Sequence, residues 1–202
     1  MKNKCLVLIS QAHGKDTPGK RSPDGQFREW KWSREITKLI VEKLYKHGIK
    51  SVIINPEDTD VKLSVQAARA NEHYRKNKDL YEHIILISPH VNAGPVNGWH
   101  DASGFQVYVY NKAGKQSRKL ARIIADNAYD RYKLAGNRWI PSDRYFEANY
   151  AILRQTVMPA VLTECMYMTN HNDIAFLTSE EGKSILSDLH VFSILEYIEN
   201  QK

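Results

Sequence analysis

The chain of 202 residues carries 29 basic and 23 acidic side chains, a formal net charge of +6, and 42% of its residues are hydrophobic. That length supports one substantial core, so one domain is expected rather than two. No apolar run approaches a membrane span, which excludes insertion. The modest positive charge favours anionic partners without choosing among nucleic acid, an anionic membrane face and cell-wall polymer.

Cys5 and Cys165 are too few for a disulfide framework, and both sit in or beside apolar runs where reduced, buried thiols are expected. Met1-Lys2-Asn3-Lys4 leads into a short apolar run with no small-residue cleavage site. Synthesis in the cytoplasm without a signal peptide is the expectation.

In chain order, Cys5 to Ile9 predicts a first buried strand, and the loop from Lys15 to Gln26 is punctuated by Gly19, Pro23 and Gly25. A helix begins near Phe27, with Trp32, Ile36, Leu39, Ile40 and Leu44 at helical spacing and a stop at His47-Gly48. Ser51 to Ile54 reads as a second strand. Thr59 or Asp60 is placed to cap a helix whose apolar face holds Leu63, Ala67, Ala70 and Tyr74. His83 to Ser88 is an unbroken apolar run, the mark of a strand covered on both faces, and it ends at Pro89-His90.

Val91 to Ser103 is loop-like, with Gly94, Pro95, Asn97 and Gly98. Phe105 to Tyr110 alternates, so this strand is expected nearer an edge, where it can pair antiparallel. A helix follows from about Lys115 to Tyr132. Leu134 to Tyr150, rich in Arg, Tyr, Trp and Asn, reads as an exposed loop region able to wall a cleft. Pro159 to Thr163 is another buried strand ending at Glu164, and a last helix spans Glu180 to Glu199. The alternation predicts an α/β fold: a twisted, mostly parallel (mixed) sheet with helices on both faces. Residues 1–202 are expected to form one catalytic domain, with no repeat and no separate wall-binding module.

His13, His90 and Glu164 each fall just past the carboxyl end of an expected buried strand, and Glu29 opens the helix after the first one. In an open parallel sheet such positions share the edge where ligands bind. Glu29 precedes Ile36 by nearly two turns, on the core-facing stripe, where an unpaired carboxylate is costly and calls for a cation. Two imidazoles and one carboxylate suit zinc with a position open for water, and a second carboxylate nearby can take that water's proton.

The ordered set His13-Gly14, Glu29, Ser88-Pro89-His90-Val91-Asn92-Ala93 and Pro159 to Glu164, followed by Met168-Thr169-Asn170 and Asp173, resembles the zinc-dependent N-acetylmuramoyl-L-alanine amidases of the Amidase_3 type. Arg69-Ala70-Asn71 also resembles that family's segment before the second histidine. The resemblance spans nearly the whole chain. It implies a peptidoglycan substrate, cut at the amide between the lactyl group of N-acetylmuramic acid and L-alanine. It further implies Zn2+ held by His13, Glu29 and His90, with Glu164 as general base and acid. The family's first motif usually reads Asp-Pro-Gly-His-Gly, whereas here Ser10-Gln11-Ala12-His13-Gly14 lacks the aspartate expected to support a ligand from behind. Pro89 before His90 is a smaller departure.

Each sharper reading has a plain competitor. His47, His73, His83, His171 and His190 lack partner spacing and are read as structural or solvated, as is His100, although Trp99-His100-Asp101 lies near the expected cleft. Cys165 would point away from Glu164 in an extended strand and is read as a buried thiol rather than a nucleophile. Arg69 and Arg154 are read as structural ion-pair partners. The aromatic and basic residues from Arg131 to Tyr150 can stack on sugar or simply pack.

The expected function is therefore zinc-dependent peptidoglycan hydrolysis, by a monomer that enters no membrane and reaches the wall after release, as in phage or prophage lysis. The alternatives are a zinc peptidase acting on stem peptides and a non-catalytic wall-binding protein. A zinc carboxypeptidase would pair His with Glu three residues on, whereas 16 positions separate His13 from Glu29. Nucleic acid is not expected as a partner, since no helix-turn-helix, finger or stacking motif occurs.

Overall fold

A computed structural model describes residues 3–94 and 98–200. Its centre is a six-stranded sheet built from β1 (Asn3–Ile9), β2 (Lys50–Ile53), β3 (Tyr81–Asn92), β4 (Gln106–Val109), β5 (Phe146–Glu147) and β6 (Ala160–Tyr167), in the order β2-β1-β3-β6-β4-β5. β2, β1, β3 and β6 run parallel, and β4 lies antiparallel against β6. The sheet is thus mixed, with the alternating segment near an edge, as its half-polar pattern predicts.

Helices α1 (Glu29–Lys46), α3 (Lys115–Asp126) and α6 (Glu180–Glu199) cover one face, over Val7, Ile9, Ile85, Ile87, Val107 and Val161. Helices α2 (Leu63–Asn77) and α4 (Ala151–Arg154) cover the other, over Leu6, Leu8, Leu86 and Leu162. The continuous apolar runs follow from this double cover, because both alternating side-chain sets are buried. Each fully buried Leu or Ile contributes roughly 1.5–3 kcal/mol relative to an exposed one.

Several expectations need correction. α3 gives way to a π-helical turn over Asn127–Arg131, and a short helix α5 (His171–Thr178) follows β6, capped by the Asn170 side chain accepting from the Asn172 and Asp173 N–H groups. Neither Thr59 nor Asp60 caps α2. Lys62 precedes that helix without a side-chain cap, while the Asp60 N–H donates to Asp16 Oδ1 and the Lys15 N–H to the Asp58 carbonyl. That segment clasps the loop bearing His13 instead. Leu134 to Tyr150 contains the two-residue β5. Pro95 and Asn97 of the expected loop lie outside the described residues.

The largest correction concerns strand ends. β1 stops at Ile9, whereas β3 and β6 stay paired beyond it, so His90 and Glu164 lie inside strands and face each other in register. Pro89 sits in β3 at little cost. The Leu86 N–H points to β6, and the Ser10 N–H reaches the Ile87 carbonyl, so the alternate groups point toward β1. Pro89 therefore lacks its N–H on the side where β1 has already ended.

Candidate active site

α1 carries Glu29 at its first position, almost fully buried at 1% exposure. Its Oε1 accepts the Val91 N–H at 3.0 Å and lies 3.1 Å from His90 Nδ1. Its Oε2 faces His13 Nε2 at 3.4 Å but has no hydrogen-bond partner among the described residues. The two imidazoles meet edge to face, with centroids 5.2 Å apart. His13, Glu29 and His90 each offer a ligand atom, and those atoms lie within 4.8 Å of one another.

This donor set fits zinc. Two donors about 2.0–2.1 Å from a tetrahedral zinc stand about 3.4 Å apart, close to the two His–Glu separations. The partnerless buried Oε2 is the atom a cation would satisfy. Metal ligands must be deprotonated, a form that His13 and Glu29 already favour, whereas His90 is shifted toward the proton that a metal would displace. Burial lowers the His13 pKa to about 4, so its ring is neutral near pH 7. Burial alone would raise Glu29, but the His90 hydrogen bond and the nearby histidines outweigh it and hold the carboxyl below its usual range. For His90 burial acts downward, and its hydrogen bond and attraction to Glu29 leave it raised.

Glu164 stands beside His90 on the neighbouring strand. Burial pushes its pKa up to about 7, with repulsion from Glu29 adding to the rise and His90 opposing it, and its Oε2 has no hydrogen-bond partner among the described residues. It lines a cleft of about 430 Å3 together with His13, Glu29, His90, Lys20 and Tyr150. Tyr150 places the end of the expected loop region on the cleft wall. Cys165 points to the opposite face, fully buried in the core, where burial raises its thiol pKa; Cys5 is likewise buried, its thiol pushed up to about 12.

Ser10, where the family's first motif usually carries aspartate, is held by partners outside the candidate ligands. Ser10 Oγ donates to Gln66 Oε1 at 2.7 Å, and the Ser10 backbone bonds Ile87 and Ser88; none of these partners is His13, Glu29 or His90. Ser33, one turn after Glu29 on the same buried face, accepts the Ala12 N–H at 2.9 Å and donates to the Pro89 carbonyl at 3.1 Å. One hydroxyl thus ties together the residues preceding both histidines. The sequence signal for it is a serine at i+4 from Glu29 on an apolar stripe.

A family model described as N-acetylmuramoyl-L-alanine amidase matches residues 7–196. The chain belongs to that family. The amidase is 28% identical over 206 aligned residues to the endolysin of Bacillus phage SPP1, covering 98% of this chain and 67% of that protein. It is 27% identical to the YqiI protein of Bacillus subtilis, across 95% of this chain and 84% of that one. Its fold superposes on the crystal structure of an N-acetylmuramoyl-L-alanine amidase from Clostridium difficile 630 with a TM-score of 0.83, at 28% identity over the full length of both chains. Ami1 of Mycobacterium smegmatis gives a TM-score of 0.81 over 98% of each chain at 19% identity, a likeness of fold alone. The amidase is a peptidoglycan hydrolase acting on the bond between N-acetylmuramic acid and L-alanine.

Residues outside the cleft have structural partners. Arg69 forms a two-pronged pair with Glu57 at 2.6 and 2.9 Å. Among the described residues Arg154 has no ion pair of the kind expected; it donates to Asn149, an amide that offers an acceptor without charge. His190 lies between Thr163 and the Leu186 carbonyl, and burial lowers its pKa to about 4. His100 packs on Gly94, where an added Cβ would fall 2.3 Å from the ring nitrogen. Asp173 accepts from Ser103, Gly104 and Tyr167, fixing the turn after β6.

Proposed function

We propose that the amidase is zinc-dependent, with His13, Glu29 and His90 as the metal ligands and Glu164 as the proton carrier. The observation that carries this reading is the partnerless Glu29 Oε2 between two histidines, facing the same cleft as the partnerless Glu164 Oε2. Zinc, when bound, supplies a Lewis acid that makes water acidic near neutral pH and polarises the carbonyl under attack.

Glu164 takes the proton of the attacking water and delivers it to the departing nitrogen of L-alanine as the C–N bond breaks. A carboxylate poised near pH 7 is suited to both transfers. Glu29 and the two histidines hold one another in place, and the Val91 N–H fixes the carboxylate from behind.

The candidate site draws on the loop after β1, on α1, and on β3 and β6 of the one sheet, in keeping with a monomer that acts as one catalytic domain over residues 1–202. No helix among the described residues is long and apolar enough to cross a membrane. The likeness to a phage endolysin supports action on the wall in lysis.

Digestion of purified peptidoglycan with and without a chelator tests the reading. The expected products are new L-alanine amino termini with intact glycan strands, lost on chelation and restored by zinc. Cleavage within the stem peptide, or activity indifferent to chelation, would overturn it.

A further inference from the structure

Lys20 stands at the mouth of the cleft in an unusual backbone state. Gly19 and Lys20 both take positive φ, 71° and 50°. A non-glycine residue stays in that region only where its surroundings over-determine it, and such sites cluster where binding or catalysis occurs. The surroundings here are specific. The Lys20 carbonyl accepts the N–H of Glu29 at 3.1 Å, Arg21 and Arg28 form an isolated antiparallel bridge, and the Ser22 N–H bonds the Phe27 carbonyl at 3.1 Å. The loop is thereby closed onto the helix end that carries Glu29.

The side chain has the opposite character. Among the described residues the Lys20 ammonium has neither an ion pair nor a hydrogen bond, although the cleft it lines contains Glu29 and Glu164. Its charge is felt at His13, His90 and Glu164. Lys20 also lines an adjoining depression of about 650 Å3 with Arg21, Ala93 and Met168, and Ala93 and Met168 are shared with the cleft. The groove therefore continues from the reacting centre past a free cation.

An anionic substrate group would be repelled by the carboxylates on the floor unless a cation met it at the rim. On the amidase reading, the stem peptide leaves the scissile amide as L-alanine followed by D-glutamate joined through its γ-carboxyl. The α-carboxyl of that second residue is either free or amidated. Two extended residues span about 7 Å, so this group is the carboxylate nearest the cut bond. We infer that Lys20 forms a carboxylate subsite for the second stem residue, making the enzyme selective for the free acid over the amide. The inference rests on the proposed amidase reading for the direction of the stem, and on Lys20's own geometry for the subsite.

Calorimetric titration of the full chain with the dipeptides L-alanyl-D-isoglutamate and L-alanyl-D-isoglutamine tests it. The wild type is expected to bind the acid about tenfold more tightly, the scale of one charge-assisted contact at a partly exposed site. Lys20→Asn, which tolerates positive φ, should bring the ratio toward one with an unchanged melting temperature, and Lys20→Arg should keep the preference. Equal affinities in the wild type, or a preference that survives Lys20→Asn, would overturn the subsite. Cleavage of the matching muramyl dipeptides is followed separately: selective binding without cleavage leaves the subsite standing and overturns the enzyme reading.

Discussion

Glu29 and His90 meet at 3.1 Å between Oε1 and Nδ1, while the second oxygen of the same carboxylate faces His13 with no hydrogen bond of its own. The carboxylate is held from three directions yet keeps one oxygen unsatisfied in a buried site. Zinc would complete it, and binding to the folded state alone would stabilise the protein. At a hundredfold excess over Kd the gain is about 2.7 kcal/mol, or roughly 5–10 °C in melting temperature for a chain of this size. Calorimetry with chelator and then with zinc restored should show that shift, and His13→Ala should abolish it.

Glu164→Gln removes the proton carrier while keeping the side chain's size. We expect kcat to fall by about 10²- to 10⁴-fold, with zinc content near that of the parent by atomic absorption. A variant that keeps full activity would remove Glu164 from the reaction.

The same residue predicts a pH dependence of stability in the chelated protein. Its folded pKa of about 7 lies above the ordinary 4.5, so between these values the folded state binds the extra proton. Its contribution is present below the ordinary value and is lost as pH rises toward 7. Because His13 and His90 also titrate, the test is the difference between wild type and Glu164→Gln in urea unfolding. The wild type should lose stability relative to the variant from pH 4.5 to 7.

Ser33→Ala would leave the Ala12 N–H and the Pro89 carbonyl without their shared partner in a fully buried site. The expected cost is about 1–3 kcal/mol in urea unfolding. Since those groups precede His13 and His90, zinc affinity should also fall by about 10- to 100-fold, as read by competition with a chromophoric chelator.

Gly14→Ala tests the clasp around His13. A Cβ at Gly14 would fall 2.0 Å from the Asp60 nitrogen, and His13 itself already holds φ at 52°. Backbone must move to admit the methyl group. We expect a loss of about 1–3 kcal/mol by urea unfolding, accompanied by weaker zinc binding.

Much of the architecture was legible in the chain itself. Unbroken apolar runs such as His83 to Ser88 and the 3.6-residue spacing of Trp32, Ile36 and Ile40 report burial directly, because local periodicity must match the face that is covered. The four candidate groups, His13, Glu29, His90 and Glu164, stand out in the sequence as a carboxylate on an apolar helical stripe and polar residues next to apolar runs, and the structure lines one cleft with all four. What the tertiary structure alone decided is how those groups meet. His90 and Glu164 stand side by side because β3 and β6 remain paired after β1 has stopped, and Ser33 joins Ala12 to Pro89 across 21 and 56 positions of sequence. Strand partners and bridging hydroxyls depend on contacts between distant segments, and no periodicity within one segment encodes them. The candidate residue types can be picked from the sequence, and their spacing comes from the sheet.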